Sequence, residues 1–239
     1  MAGPPRRHEG APALRILILA GEASGDAHGS HVAREIRRRW PSVSLLGLGG
    51  PRMAQAGVEL LRGLDDLAVM GFVEVLGRLA FFRRLEGELR TLITGGAVDL
   101  VLPIDYPGLN LRITERAHEA GVPVVYYISP QVWAWKAHRA ARLAQWADRI
   151  AVILPFEVPI YEAVGGAVSF VGHPLLDETE NIDTERFMDS MGLDPDRPVL
   201  ALFPGSRRQE LKRHLGPFLD VASAVGERRP DVQTVLGKA

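Results

Sequence analysis

One short segment near the start of the chain most constrains its fold. It is an apolar run, Ile16–Ala20, followed by a turn of small and polar residues, Gly21–Asp26. The run shows no alternation of apolar and polar positions, which is typical of a strand buried on both faces of a parallel sheet. Ligands of open α/β sheets bind at the carboxyl ends of such strands. We therefore expect a functional site at this turn, formed by Glu22, Ser24 and Asp26.

The turn itself excludes two common nucleotide-binding motifs. It matches neither G-x-G-x-x-G nor G-x-x-x-x-G-K-[ST], which argues against a simple dinucleotide site or a P-loop. Ser24 and Asp26 could instead cap the helix that follows, and we expect such capping to occur. Capping does not account for a carboxylate at Glu22, so the functional interpretation is favoured.

Strand and helix patterns alternate along the rest of the chain, which predicts an α/β fold with a doubly wound parallel sheet. The predicted strands are Arg15–Ala20, Val43–Leu48, Leu100–Asp105, Pro123–Ile128, Arg149–Ile153, Val168–Val171, Val199–Phe203 and Val232–Leu236. The predicted helices are Asp26–Arg39, Val75–Ile93, Leu109–Ala120, Lys136–Ala147, Glu157–Ala163, Glu185–Met191 and Leu215–Arg228.

A polar, acidic and strand-free segment from His173 to Arg197 indicates a domain boundary. We expect a disordered tail over 1–14, a first domain over 15–174, a linker over 175–197 and part of a second domain over 198–239. An independent α/β domain normally needs roughly 100–150 residues. The second domain holds one βαβ unit, so the sequence suggests a truncated chain or a domain completed from elsewhere.

Composition excludes several classes of function. The 28 basic and 29 acidic residues nearly balance, so the chain has no overall charge for holding nucleic acid. Without cysteine it has no disulfide, thiolate metal site or cysteine nucleophile. His28 and His31 lack a third metal ligand nearby, and we expect no metal. No stretch approaches the ~20 apolar residues that span a bilayer. We expect a soluble or peripheral protein.

A second candidate motif, Ile104–Asn110, places Asp105 at the end of a buried strand, before a Pro-Gly turn. A carboxylate there can accept a proton from a substrate hydroxyl if its pKa is suitable. A single aspartate more often caps a helix or binds loop amides. Glu22 and Asp105 both end strands expected to be central, which favours function. Asn110 is equally suited to capping and to binding.

A third motif, Pro204–Glu210, follows the strand that begins the second domain. Its glycine permits close approach of a ligand to the backbone. The amides at the start of the following helix, together with Arg207, favour a phosphate group. The alternative is a solvated turn.

A fourth segment, 68–76, is apolar at nearly every position and is followed by Arg78, Arg83 and Arg84. It could be a buried strand or helix. The neighbouring arginines favour an interfacial patch that contacts acyl chains and anionic headgroups. Trp133 and Trp135 lie just past a strand end, where they could line a pocket, stack on a sugar or pack in the core.

Eight motifs occur in an order that resembles one family. They are AGEASGD at 20–26, GGPRM at 49–53, AVMGFVEVLGRL at 68–79, IDYPGLN at 104–110, SPQVWAW at 129–135, LPFE at 154–157, FVGHP at 170–174 and PGSR at 204–207. Together they resemble the bacterial lipid-A-disaccharide synthases, which are inverting glycosyltransferases of the two-Rossmann-domain (GT-B) type. The resemblance covers the chain from Arg15 to about Leu236.

The resemblance implies a reaction and roles for individual residues. Members of this family join UDP-2,3-diacylglucosamine to 2,3-diacylglucosamine 1-phosphate and release UDP. By motif, Asp105 corresponds to the candidate general base, Arg207 to the arginine at the UDP diphosphate, and Glu22 to a glutamate of the same cleft. Further substrate-binding residues are expected at Ser24, Gly25, Asp26, Asn110, Trp133, His173, Gly205, Ser206 and Glu210. The membrane- and acyl-facing patch corresponds to Val69, Met70, Phe72, Val73, Val75 and Leu76.

By the same resemblance we expect no cofactor and a peripheral location on the cytoplasmic face of the inner membrane, with its anionic surface as a partner. The balance of charge argues against a nucleic-acid partner, and the incomplete second domain predicts homo-oligomers. The family's later donor-binding loop and C-terminal segment are absent, so we expect weak donor binding and little turnover. Two alternatives are another GT-B sugar-nucleotide enzyme, such as a peptidoglycan glycosyltransferase or a UDP-sugar epimerase, and a non-catalytic remnant that binds acyl sugars.

Overall fold

A computed structural model of the chain describes residues 14–67, 79–132, 138–178, 183–206 and 208–237. The chain divides into two compact units, Met1–Asp177 and Glu178–Ala239. The functional division into an acceptor domain, a linker and a partial donor domain stays a prediction.

The first unit is built around a seven-stranded sheet in the order β3-β2-β1-β4-β5-β6-β7. Every neighbouring pair of strands in it is parallel. The predicted α/β class with a Rossmann-like parallel sheet is therefore confirmed. The strands are β1 Arg15–Ala20, β2 Ser44–Gly49, β3 Glu59–Gly63, β4 Leu100–Ile104, β5 Val125–Tyr127, β6 Arg149–Val152 and β7 Val168–Phe170.

Helices connect these strands. Those described are α1 Ala23–Arg39, α2 Pro51–Gln55, α3 Leu64–Leu67, α4 Leu79–Thr94, α5 Pro107–Glu119, α6 His138–Trp146, α7 Val158–Glu162 and α8 Leu175–Glu178, with a 3₁₀ turn at Pro155–Glu157. None of the helices in the described ranges is both long and apolar enough to cross a membrane.

Strand β1 is apolar throughout because both of its faces are covered. Leu17 and Leu19 belong to a core cluster with side chains of α4, α5 and α6. Ile16 and Ile18 point the other way, into a second cluster with side chains of α1 and α2. Since successive residues of a strand face opposite sides of the sheet, β1 is the shared centre of both cores.

The structure differs from the predicted elements at several places in this unit, and the short helices α2 and α3 were not predicted. Strand β3, Glu59–Gly63, was not predicted, because its half-buried sequence ELLRG is too short and mixed to show a strand period. Helix α1 begins at Ala23 with Glu22 as its N-cap residue. Ser24 and Asp26 therefore lie within the first turn, and the prediction that they cap the helix is wrong.

The second unit contains α9 Thr184–Met191, β8 Val199–Leu202, α10 Arg208–Arg228 and β9 Gln233–Leu236. Strands β8 and β9 pair in parallel, as expected for one βαβ unit. Helix α10 begins seven residues before the predicted start at Leu215. The Gly216–Pro217 pair resembles a helix start, yet Pro217 lies inside this helix.

Candidate active site

The turns that carry the two candidate carboxylates lie at the same edge of the sheet. Strands β1 and β4 are hydrogen-bonded neighbours in the middle of the sheet, and their registered pairs end at Ala20 and Ile104. Asp105 follows Ile104 directly, and Glu22 follows Ala20 after one glycine, Gly21. Both strands are central in the sheet, as expected, and the structure shows that they are also adjacent.

Asp105 lies on a tightly wound turn between β4 and α5. Asp105 and Tyr106 have φ angles of 45° and 49°, which is the left-handed region that non-glycine residues rarely adopt. Two side chains hold the Asp105 carbonyl oxygen in this conformation. The Tyr126 hydroxyl donates to it at 2.8 Å, and the Asn110 Nδ2 donates to it at 2.7 Å. Strained backbone supported in this way is typical of functional positions.

The environment of Asp105 favours its protonated form. Burial raises the pKa of the Asp105 carboxyl above its ordinary value, a backbone hydrogen bond from Tyr106 opposes this rise, and the nearby charge of Glu22 adds to it. A carboxylate with a raised pKa is a stronger base than an exposed one, which suits it to accept a proton from a hydroxyl.

The Gly21 turn and the Tyr106 ring fit against each other. A Cβ atom at Gly21 would lie 2.3 Å from Cγ of the Tyr106 ring, so no larger residue fits there without moving the ring. This close packing joins the turn after β1 to the turn after β4. It gives a physical reason for glycine between Ala20 and Glu22.

Asp26 is occupied by contacts within the protein. Its side chain is buried, and its carboxylate accepts hydrogen bonds from the backbone amides of Gly50, Arg52 and Met53 at 2.8, 3.1 and 2.9 Å. Asp26 thus fastens α1 to the start of α2. The predicted contact of Asp26 with substrate stays a prediction, whereas its three hydrogen bonds to backbone amides show a structural role. Gly25 is buried in the same turn, and Ser24 is exposed.

Asn110 is also buried, and its amide is directed into the sheet. Nδ2 lies 3.2 Å from the carbonyl oxygens of Leu19 and Ile104, besides its bond to Asp105. The contacts of this amide favour a role in positioning the Asp105 turn. The binding role predicted for Asn110 is not needed to explain its burial.

A neighbouring strand end holds a polar pair that sequence reasoning missed. Ser129 follows β5, after Ile128, whose φ of 58° is also left-handed. Its hydroxyl donates to Glu157 Oε1 at 3.1 Å, and Glu157 Oε2 accepts the Leu154 amide at 3.1 Å. Glu157 is only 2% exposed. The sequence signal that could have indicated this pair is the glutamate of the LPFE motif, which follows a predicted strand.

In the second unit, Glu210 closes the PGS turn. Its carboxylate accepts the Ser206 backbone amide at 3.0 Å, and a Cβ atom at Gly205 would lie 2.5 Å from the Glu210 Cβ. Gly205 has a φ of 119°, which glycine alone adopts without strain. The turn is thus ordered by its own residues.

The remaining predicted site residues divide into two groups. His173 is partly buried in the loop after β7, where its Nδ1 accepts the Leu175 amide at 3.3 Å. The others lie outside the described residues: Arg207, Trp133, Val69, Met70, Phe72, Val73, Val75 and Leu76. Within the described ranges, no group of three or more His, Asp or Glu side chains is arranged to hold a metal ion.

Solved structures similar to this chain share its fold. A UDP-GlcNAc 2-epimerase from Neisseria meningitidis, bound to UDP-GlcNAc, matches with a TM-score of 0.63 at 10% identity, over 95% of this chain and 66% of its own. An Anabaena protein in complex with UDP and glucose matches with a TM-score of 0.58 at 9% identity, over 95% of this chain and 70% of its own. At such identities the likeness concerns the fold alone.

Curated relatives found by sequence share a much higher identity with this chain than those solved structures do. Lipid-A-disaccharide synthases of Geobacter metallireducens and Geobacter sulfurreducens are 46% and 47% identical to it, over 95% and 93% of this chain. The chain spans 59% and 58% of their lengths. The family model described as lipid-A-disaccharide synthetase matches residues 16–239. The chain belongs to the lipid-A-disaccharide synthase family.

Proposed function

We propose that this protein acts in the transfer of diacylglucosamine from UDP-2,3-diacylglucosamine to 2,3-diacylglucosamine 1-phosphate, with release of UDP. Family membership supports the reaction class. The observation that carries the proposal is Asp105, a partly buried carboxylate with a raised pKa at the tip of a central strand. The relatives' names supply the product, a lipid A disaccharide.

Asp105 acts as the general base in this proposal. The 6-hydroxyl of the acceptor is a poor nucleophile at neutral pH, so Asp105 takes its proton as the oxygen attacks the anomeric carbon. The new C–O bond forms opposite the breaking one, which inverts the anomeric centre. The bonding electrons leave with UDP. Burial is the main cause of the raised pKa of Asp105, and the charge of Glu22 adds to it.

The donor side of the reaction is proposed from the second unit. Gly205 and Ser206 form an ordered turn before α10, a type of turn suited to a diphosphate. Arg207, expected from the PGSR motif, would stabilise the charge that develops on the leaving UDP.

The test is transfer of radiolabelled sugar from UDP-2,3-diacylglucosamine by the wild-type chain and by Asp105→Asn. The substitution keeps the shape of the side chain and removes its basicity, so we expect a rate loss of about 10²–10⁴-fold. Binding of the acceptor, measured by calorimetry, should change little. Equal rates would contradict the role of Asp105. A wild-type chain that epimerises the donor or binds it without forming disaccharide would contradict the reaction.

The membrane partner is proposed from the sequence of residues 68–76. The apolar residues there, followed by arginines, suit insertion into the acyl region of an anionic inner-membrane surface on the cytoplasmic side. Self-association is a further proposal. Its support is the exposure of large apolar side chains in the second unit, such as Phe203 and Val221, which are 74% and 55% exposed.

A further inference from the structure

An open groove of about 310 Å³ lies on the first unit, between α5 and α6. Apart from Pro107 and Gly108 of the IDYPGLN motif, its lining residues belong to none of the eight motifs. Its walls include Gly108, Arg112 and Glu115 from α5, and Arg139, Arg142 and Trp146 from α6. Spacings of three, four and seven residues put each set on one face of its helix. The two helices therefore present facing stripes of side chains to the groove.

The groove has an excess of positive charge. Three guanidinium groups line it with one carboxylate, that of Glu115. Arg112 also donates from Nε to Glu86 Oε2 at 2.8 Å. Arg139 and Arg142 form no ion pair with any residue in the described ranges. Paired guanidiniums on one helix face are well suited to a phosphate, since each offers several N–H donors in a planar fork.

The groove begins at the turn that carries the candidate base. Gly108, in the first turn of α5, follows Asp105 by three residues. This end of a helix adds a favourable potential for an anion. On the other wall, the positive charge of Arg139 acts on the Tyr126 hydroxyl, which donates to the Asp105 carbonyl oxygen. Arg139 is thus linked to the Asp105 turn through Tyr126, within a single unit.

We propose that this groove binds the phosphate of the acceptor sugar, with Arg139 and Arg142 as its principal ligands. The proposal rests on the proposed function, because it is that reaction which supplies a phosphorylated acceptor. In 2,3-diacylglucosamine 1-phosphate, the phosphate and the reactive 6-hydroxymethyl group sit on the two ring carbons that flank the ring oxygen. A phosphate held in the groove therefore leaves one ring's width between it and the hydroxyl that must reach Asp105.

The size of the groove agrees with such a ligand. Its volume is at the lower end of the roughly 300–1,000 Å³ found for small-molecule sites. That is sufficient for a sugar phosphate and too small for two acyl chains as well. The acyl chains must then leave the groove, while Trp146 supplies an apolar wall for the sugar ring.

The test compares two probes, 2,3-diacylglucosamine 1-phosphate and the same sugar without its phosphate, in matched detergent micelles. Loss of a charge-assisted contact in Arg142→Ala should weaken binding of the phosphorylated probe about tenfold or more. Binding of the dephosphorylated probe should not change. Arg142→Lys should recover part of the loss. Arg90→Ala, at an exposed position of α4, is the matched control and should bind both probes as the wild type does.

Each result bears on the inference. If the wild-type chain binds both probes equally, the groove does not bind the phosphate group and the inference is wrong, although the proposed function stands. If it binds neither probe, the proposed function and the inference both fail. If Arg142→Ala weakens binding to phosphatidylglycerol vesicles but keeps the preference for the phosphorylated probe, the groove binds a lipid headgroup and the inference is wrong. Should Arg142→Ala lose its near-ultraviolet circular dichroism, Arg139→Gln decides by the same comparison.

Discussion

Asp105 combines three properties that are costly to a folded protein. Its backbone is in the left-handed region, its side chain is partly buried, and the charge of Glu22 lies close by. Each property disfavours the folded, ionised state. Natural proteins retain such costs at sites where activity depends on them. Asp105 therefore has a stability cost that removal of its charge should reveal.

We predict that Asp105→Asn makes the protein more stable at pH 7. A carboxyl whose pKa is raised on folding destabilises the folded state above that folded pKa, and the cost vanishes below the unfolded value of about 3.9. The gain in free energy of unfolding should therefore shrink as the pH falls from 7 toward 3. Urea unfolding at several pH values measures this.

Asp99, just before β4, is a control in which the pKa shift has the opposite sign. A hydrogen bond from Arg15 lowers the pKa of its carboxyl, and the two side chains pair at 2.9 Å. Asp99→Asn should therefore reduce stability at pH 7, by a small amount because the pair is exposed. That loss should disappear as the pH falls through the folded pKa. A less stable Asp105→Asn variant at pH 7 would contradict our account of Asp105.

The proximity of Glu22 to Asp105 could be predicted from sequence, whereas the partners of Asp26 could not. Carboxyl ends of parallel strands meet at one edge of a sheet, so two acids that follow central strands must be neighbours. The amides that bind Asp26 are 24 to 27 residues away, in the GGPRM segment, whose sequence does not indicate a contact with Asp26. Nothing local to Asp26 distinguishes a ligand-binding carboxylate from a structural one.

At the scale of elements, Asp26 makes α1 and α2 depend on each other. The three amides that it accepts include those at the N-terminus of α2, whose five residues are too few to be stable alone. The carboxylate also interacts favourably with the positive end of that helix. Helix α2 is therefore held in place by a side chain of α1.

We predict that Asp26→Ala lowers the free energy of unfolding by roughly 3 kcal/mol, because three amides, two of them in buried hydrogen bonds, lose a charged acceptor. Asp26→Asn keeps one acceptor oxygen and should lose less. Guanidinium unfolding followed by circular dichroism measures both. Asp65→Ala, at an exposed position of α3, should change stability by no more than about 0.5 kcal/mol. Equal stability of Asp26→Ala and the wild type would contradict this role.

Element boundaries were predicted best where the residues are buried on two sides. The limits of β1 match the prediction, since the five residues after Arg15 are all apolar and buried. Helix α10 was predicted too short because its first turns, RQELKRH, are polar and show no apolar period. Tertiary context, rather than local pattern, decides where such elements begin.

At the scale of the whole molecule, the first unit contains the candidate base, its supporting residues and the phosphate groove. The candidate base follows β4, and the groove lies between α5 and α6, the helices that follow β4 and β5. The second unit contributes a turn suited to a diphosphate. In our proposal, the acceptor and the donor therefore bind to different parts of the chain.

We predict that Phe72→Ser together with Val73→Ser weakens binding to anionic vesicles, since both side chains belong to the proposed acyl-facing patch. Burial of each side chain in the acyl region contributes roughly 1.5–3 kcal/mol. Sedimentation with phosphatidylglycerol vesicles measures the loss. The pair Phe170→Ser and Val171→Ser is matched in composition and lies at half-exposed positions elsewhere, so it should bind as the wild type does. Unchanged partitioning of the first pair would assign 72 and 73 to the core.

The amide of Asn110 has a consequence for how the protein responds to its substrate. By reaching the carbonyl oxygens of Leu19 and Ile104, it pins the tips of two adjacent strands to one another. The backbone of Asp105, which the same amide binds, is therefore coupled to the positions of these two strands. Rearrangements that admit or release a sugar must then arise elsewhere, and hydrogen exchange should find the Asp105 amide among the slowest of the loop protons.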